Sequence, residues 1–398
     1  MGLLATKSAF PIFSLFLFFA VPIHQTGAST ILWTAPAIVI SAMMIAWAAE
    51  SAQFFMAQGF ALAILAWMQT LPEFAVEAVF AWHQQAPLLL ANLTGALRLL
   101  TGLGWPVIYF TAAFFHRRRT GKPLDCICLE EQQSVEVVGL LLPLMYIAVI
   151  TAKGSLTIYD AVVLILIYSA YLYTLTRLPP EDAESIQELA VIPRTIVKSR
   201  RPVRIAAISL LFLAGGAAVG FVADPFVGSL LAISAAFGMP SFLLVQWVAP
   251  IVSEFPELAS TVYFARSADR ASMALMNMVS SNINQWTLLV AMLPIVYSIS
   301  AGKLSAIVLD PEQRLQLLMT LGQALVGAMY LIKMQIKWWE AAMLFVLFFV
   351  PFVHATAAGV VTVTYFVWAG VEMIRLASGS REPAALLAFV RTWKAHIR

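Results

Sequence analysis

The chain predicts an all-α fold: a polytopic transmembrane helical bundle of two inverted five-helix repeats, with one extra helix at each end. Three observations carry that expectation. Of 398 residues, 61% are hydrophobic and 11% charged, against about 25% charged in an average soluble domain. Apolar runs of about 20 residues, long enough to cross a ~30 Å hydrocarbon core as helix, recur from one end to the other. A Pro-Glu element near residue 73 also returns near residue 257, in the matching place of a second run of spans.

Taken in order, a first span at 8–23 (FPIFSLFLFFAVPI) follows Lys7 and precedes HQTGAS. That layout also resembles a cleaved signal peptide, but the charge distribution closes best with a retained helix, so residues 1–30 are read as an extra N-terminal helix. Spans at 31–50, 59–82, 86–115, 134–152 and 157–176 make the first unit, 31–176. The hydrophilic stretch 177–204, with Pro179, Pro180, Pro193 and Pro202, reads as a linker too short for a regulatory module. Spans at 205–235, 240–265, 271–298, 315–332 and 338–354 make the second unit, 205–354. Residues 355–398 add a span at 357–375 and the tail EPAALLAFVRTWKAHIR. The tail alternates apolar and basic residues at helical spacing, which suits a helix on an anionic leaflet; a frayed basic tail is the alternative.

The net charge of +3 is small, so the placement of the basic residues matters more than their sum. They cluster at His116 to Lys122, Arg177 to Arg204, Arg266 and Arg270, Lys333 and Lys337, and the C-terminus. A cytoplasmic N-terminus followed by these crossings puts every cluster on the cytoplasmic side, as the positive-inside rule requires. The expectation is an integral protein of the cell inner membrane, N-in and C-in, with the lipid bilayer as its surroundings. Nucleic acid is not implied. Trp33, Trp105, Trp338 and Trp339 suit the headgroup region. Cys126 and Cys128, beside Glu130 and Glu131, could hold a metal, but no further Cys or His lies nearby to complete a tetrahedral set.

The internal repeat pairs MQTLPEFAVEAVFAW (Met68 to Trp82) with VSEFPELASTVYFAR (Val252 to Arg266). A polar helix follows each: ANLTGALRLL from Ala91, and MNMVSSNINQ from Met276. Five crossings per unit are an odd number, so the second copy enters from the opposite face. Inverted repeats of this kind place an ion site near mid-membrane and expose it alternately as the halves rock.

The local chemistry agrees. A proline in mid-helix frees a carbonyl one turn back, so Pro72 is expected to free Met68 O and Pro256 to free Val252 O. A freed carbonyl, a neighbouring carboxylate and Ser, Thr or Asn oxygens make an all-oxygen cage, which hard cations such as Na⁺ and Ca²⁺ prefer. Glu73 and Glu257 are the expected central ligands, because an ionised residue in mid-membrane usually has a pairing or transport role. Glu77 lies one turn from Glu73, and Glu254 three residues before Glu257; each is an auxiliary ligand or proton carrier, or a partner of Arg98. One arginine cannot neutralise all four carboxylates; the set leaves three net negative charges.

On these motifs the chain resembles the cation/calcium exchanger superfamily, whose repeats read roughly G-T-S-φ-P-E and then G-N-φ-φ-G-S-N. The second repeat has Ser253, Pro256, Glu257, Asn277, Ser281 and Asn282 at motif positions. The first keeps Thr70, Pro72, Glu73, Asn92 and Gly95 but has Gln69, Ala96 and Leu97 where the pattern has Thr, Ser and Asn, with Arg98 next to them. The resemblance implies ten core helices, an ion site that includes Thr70, Asn92, Ser253, Asn277, Ser281 and Asn282, and exchange of Ca²⁺ for Na⁺ or H⁺ by alternating access. It implies no cofactor beyond the transported inorganic cations. Arg98 is then a modulating charge that either stands in for a cation or is tucked against Glu77 structurally. Two other readings stay open: a proton-coupled or monovalent exchanger on the same scaffold, and a degenerate, non-transporting membrane protein. No nucleophile–base pair or phosphate-binding glycine loop points to an enzyme.

Overall fold

A computed structural model describes residues 26–55, 70–178, 189–267 and 270–396. The expected span at 8–23, and the first half of the one at 59–82, lie outside the described residues. Each other expected span is helical, because in lipid the backbone groups of an apolar run must be satisfied within the run itself. The first repeat contains α1 (Ile31–Ala52), α2 (Leu71–Trp82), α3 (Ala86–Leu99), α4 (Trp105–Thr120), β1 (Cys126–Cys128), α5 (Ser134–Lys153), β2 (Ser155–Leu156) and α6 (Ile158–Leu175). A short α7 (Val191–Lys198) precedes the second repeat: α8 (Arg201–Phe237), α9 (Ser241–Ser253), α10 (Phe255–Phe264), α11 (Ala271–Asn284), α12 (Val290–Ala301), β3 (Ile307–Val308), α13 (Pro311–Leu331), β4 (Gln335–Lys337) and α14 (Trp338–Val353). Two helices follow, α15 (Ala358–Ala377) and α16 (Ala384–His396).

Among the described residues, seven helices are long and apolar enough to cross a membrane singly, and the broken pair α9 and α10 would make an eighth. Those that fall short do so for visible reasons. Gln313, Arg314, Gln316 and Gln323 dilute the hydropathy of α13, and α14 has 16 residues.

The chain divides into two compact units, residues 1–80 with 180–256 and residues 81–179 with 257–398, so each unit draws on both repeats. In the first, α1 packs along α8 around Ile45, Ala48, Ala49 and Val219, with Leu71 and Ala75 of α2 against the same cluster. The approach is close at Gly215, where a Cβ would come within 2.9 Å of the Ser41 carbonyl. Within the expected linker, α7 buries Pro193, Ile196 and Val197 on α1, and α8 begins at Arg201.

The second unit shows the inversion directly. Its strands β1 and β4 pair antiparallel, as do β2 and β3. The first interhelix loop of one repeat thus meets the second loop of the other, twice, as two copies of opposite orientation require. The local chemistry repeats too. Glu130 and Gln133 close the 3-10 turn that leads into α5, with Glu130 N donating to Gln133 Oε1, as Asp310 N donates to Gln313 Oε1 at the start of α13. Lys153 pairs with Asp160 at 2.5 Å, and Lys333 with Glu340 at 2.5 Å. Each polar helix also ends in a π-turn at the matching position, Leu100–Gly104 after α3 and Gln285–Leu289 after α11. Strands of two or three residues carry no readable period, so sequence patterning did not anticipate them.

Two expectations change in detail. Trp105 is not a headgroup residue on the surface; it is buried against Gly327, where a Cβ would come within 2.7 Å of the indole. Cys126 and Cys128 are disulfide-bonded to each other within β1, which leaves no thiolates for a metal. The tail takes the helical one of the two readings left open. In α16, Ala385, Ala388 and Thr392 are buried, Ala385 N donates to Ile332 O at 2.8 Å, and Arg391 meets Glu131 at 2.6 Å.

The two repeat-related ion pairs differ in burial. The Glu340 carboxylate is buried, takes the backbone amide of Lys337 at 2.9 Å, and has Arg381 at 3.6 Å beside Lys333. Burial pulls the Lys333 ammonium below the ordinary lysine range, while its bond to Glu340 opposes that shift. Lys153 is 40% exposed and can be solvated. Glu340→Gln is therefore expected to destabilise the protein by about 3 kcal/mol, since it takes the carboxylate from Lys333, which is only 13% exposed, and Asp160→Asn by less. Melting temperatures of the two variants in the same detergent check the order.

Candidate cation site

Each Pro-Glu element opens a helix. Pro72 and Pro256 are the second residues of α2 and α10, in the first turn, where a missing amide donor removes no intrahelical bond. The expectation of mid-helix prolines is thereby corrected. Before Pro256 the chain breaks at Glu254, whose amide donates to Pro250 O at 2.9 Å. Val252 O then belongs to the last turn of α9, where carbonyls have no intrahelical partner in any case. Met68 lies outside the described residues. Glu73 and Glu257 are both third residues of their helices, at the end whose partial positive charge favours a carboxylate.

In the second unit the carboxylate is built into a polar cluster. Glu257 is buried, and its Oε2 accepts from Ser281 Oγ of α11 at 3.0 Å. The next residue, Asn282, donates through Nδ2 to Met278 O at 3.1 Å, which fixes its amide, and its Oδ1 accepts from Thr101 Oγ1 at 3.4 Å. Thr101 sits in the π-turn after α3. Such turns offset the helix register and occur often at functional sites. Close packing brings the polar helices together: a Cβ at Gly104, in the same turn, would collide with Met278. Asn92 is buried on α3, and Asn277 is half-buried on α11.

In the first unit, Glu73 and Glu77 lie one turn apart on α2, both buried, behind a buried Thr70 whose carbonyl accepts from Phe74 N at 3.0 Å. Ser253 ends α9 with its hydroxyl donating to Ala249 O at 3.2 Å. Glu254 is buried in the break itself and does not share a helix with Glu257.

Arg98 is also buried. Its Nη1 donates to Gln316 Oε1 of α13 at 2.7 Å, its carbonyl accepts from Gln323 Nε2 at 3.1 Å, and Tyr365 of α15 lies near enough to interact electrostatically. Gln316, Gln323, Tyr365 and Thr101 were not anticipated. Their signal was present but weak: Gln316 and Gln323 are two turns apart on one face of an otherwise apolar helix. The repeats are thus unequal. At the positions of Ser281 and Asn282 the first repeat has Ala96 and Leu97, followed by a guanidinium anchored by glutamine.

The family described as sodium/calcium exchanger protein matches the chain twice, over residues 27–177 and residues 208–357. This chain belongs to that family. The two matched stretches follow the two repeats, and exchangers of the family are membrane antiporters, so the protein is a secondary active cation antiporter of inverted-repeat build. Among solved structures, an H⁺/Ca²⁺ exchanger, CAX, is 30% identical with a TM-score of 0.87, over 98% of this chain and 96% of its own. The native YfkE structure, at 13% identity and a TM-score of 0.59, covers 90% of this chain and 98% of its own. The sodium–calcium exchanger NCX_Mj, at 16% identity and 0.53, covers 82% and 97%. The last two speak to the fold alone. Comparison with curated proteins yields no match.

Thr101→Val tests whether the π-turn hydroxyl serves the exchanger's site. Removing one donor to the Asn282 amide is expected to lower apparent Ca²⁺ affinity by about tenfold or less, with the melting temperature nearly unchanged. A titration of Ca²⁺-dependent uptake in vesicles reads it.

Proposed function

We propose that this exchanger moves Ca²⁺ against H⁺, with Glu257 and its repeat partner Glu73 as the groups that alternately hold the two ions. The observation that carries the reading is the inequality of the repeats. Glu257 has the Ser281 hydroxyl bonded to it and the Asn282 amide as the next residue of α11, oxygen ligands suited to one Ca²⁺. The first repeat has lost the matching pair and carries Arg98 instead, which leaves poor provision for several Na⁺ ions. A proton needs no cage: it can occupy a carboxylate that Ca²⁺ has left. The likeness to an H⁺/Ca²⁺ exchanger at 30% identity supports the same coupling ion. Thr70, Glu77, Asn92, Ser253, Glu254 and Asn277 are proposed as auxiliary oxygen ligands or proton carriers around these two.

Purified protein in vesicles, given a pH gradient or a Na⁺ gradient separately, distinguishes the coupling ions. Ca²⁺ uptake is expected with the pH gradient alone; uptake driven only by Na⁺ would overturn the reading. The proposed setting is the cell inner membrane with both termini cytoplasmic, supported by the basic clusters around Arg117–Arg119 and Arg194–Arg204. A single cysteine at Lys198, exposed on α7, is expected to react with an impermeant thiol reagent only after the cells are opened, and labelling of intact cells would contradict that topology.

A further inference from the structure

Beyond the ion site, α15 carries a feature that cation exchange does not use. A groove of about 910 Å³ runs along it, lined by Val360, Val363, Val367 and Val371, walled at one end by Trp339 and Trp368, and closed by Arg375. The valines are all exposed, and the two indoles are stacked at 6.2 Å with an 18° angle between planes. From Val360 to Val371 the helix rises about 16 Å, close to the ~15 Å depth of one leaflet's hydrocarbon. One turn further on, Arg375 sits at headgroup level, 54% exposed while bonded to Glu372 at 3.1 Å.

The charges at that end do not balance. Glu372 is shared between Arg375 and Arg381, and Glu340 is held by Lys333 with Arg381 at 3.6 Å. Three cations thus meet two carboxylates, and the one with most access to solvent is Arg375. The stacked pair of Trp339 and Trp368 forms an aromatic wall of the groove about two helical turns before Arg375. From this geometry we infer a binding site for an anionic phospholipid, one acyl chain along the valine groove of α15 and the phosphate on Arg375.

The groove's dimensions select the occupant. An acyl chain matches a shallow channel one leaflet deep, and a single phosphate matches the one excess positive charge of the cluster at its most exposed member, Arg375. The groove's lining residues lie on α15, beyond residue 357 where the family match ends, apart from Trp339 of α14, and none of them is among the proposed ion ligands. A second copy of the chain seated on the same face is the competing occupant, and it predicts a different dependence on the two variants.

Native mass spectrometry of the purified full chain, with phosphatidylglycerol or phosphatidylcholine added, tests the site. The wild type is expected to retain phosphatidylglycerol over phosphatidylcholine. Arg375→Gln is expected to reduce that preference about fivefold, the attraction of one interfacial arginine, and Val367→Trp to abolish retention of either lipid by filling the groove. Both positions are exposed, and the rise in melting temperature on adding phosphatidylglycerol, compared within each protein, gives a second reading independent of the variant's own stability. Equal retention of the two lipids by the wild type, or full retention by both variants, would overturn the inference. So would a wild-type dimer that carries no lipid and dissociates in Val367→Trp.

Discussion

Vesicles containing Glu257→Gln are expected to take up Ca²⁺ no faster than protein-free vesicles, while the variant inserts and melts like the wild type. The structure separates the two roles of this side chain. An amide oxygen at the same place still accepts from Ser281 Oγ, now at 3.0 Å from Oε2, so the contact between α10 and α11 survives. The negative charge does not. A neutral amide neither compensates a divalent cation in a medium of low dielectric nor takes up a proton when the cation leaves, so both half-cycles fail together. Glu73→Gln is expected to behave alike, since Glu73 occupies the same third position of a proline-opened helix. Ser281→Ala is the graded control: it removes one charge-assisted hydrogen bond, of about 1.5–3 kcal/mol, and is expected to weaken Ca²⁺ affinity without abolishing exchange. Near-normal uptake by both glutamine variants would remove the Pro-Glu elements from the ion path.

The spans that fall on described residues, the doubled Pro-Glu element and the inversion could be read from residues alone, because each rests on strong periodic or counting signals. Five crossings per unit imply opposite orientations, and the cross-pairing of β1 with β4 and β2 with β3 bears that implication out. The placement of Pro72 and Pro256 was harder. Proline is compatible with either a kink or a helix start, and only the helix starts at Leu71 and Phe255 decide between them. Thr101 and the π-turns were hidden for a related reason: a local change of helical register leaves no mark on hydropathy. The partner of Arg98 was hidden because Gln316 lies 218 residues away in sequence, and a glutamine within an apolar helix has many possible uses. Sequence patterning did not separate the compact units either, since each takes helices from both repeats.

Replacing Arg98 is expected to change both the stability and the electrical character of transport. Its guanidinium stays protonated at any physiological pH, and it lies just beyond Ala96 and Leu97, where the second repeat has Ser281 and Asn282. The loss of two oxygen ligands and the gain of a fixed charge fall at one place, which is what a guanidinium standing in for a bound cation requires. Arg98→Ala takes the donor from Gln316 Oε1 at 2.7 Å and leaves a buried cavity, a cost of about 3 kcal/mol that a lowered melting temperature would report. Stability alone would not separate a packing role from an electrostatic one. The separating measurement is Ca²⁺ flux against membrane potential across a range of pH. With the fixed charge gone, an additional cation or proton is expected to bind, so the charge moved per cycle or the pH profile changes. Arg98→Lys supplies the contrast: it keeps the charge but lacks the planar fork that reaches Gln316, and is expected to lose stability while keeping the wild-type charge per cycle. An Arg98→Ala protein that is less stable but has the wild-type rate, pH profile and charge per cycle would show that the arginine only ties α3 to α13.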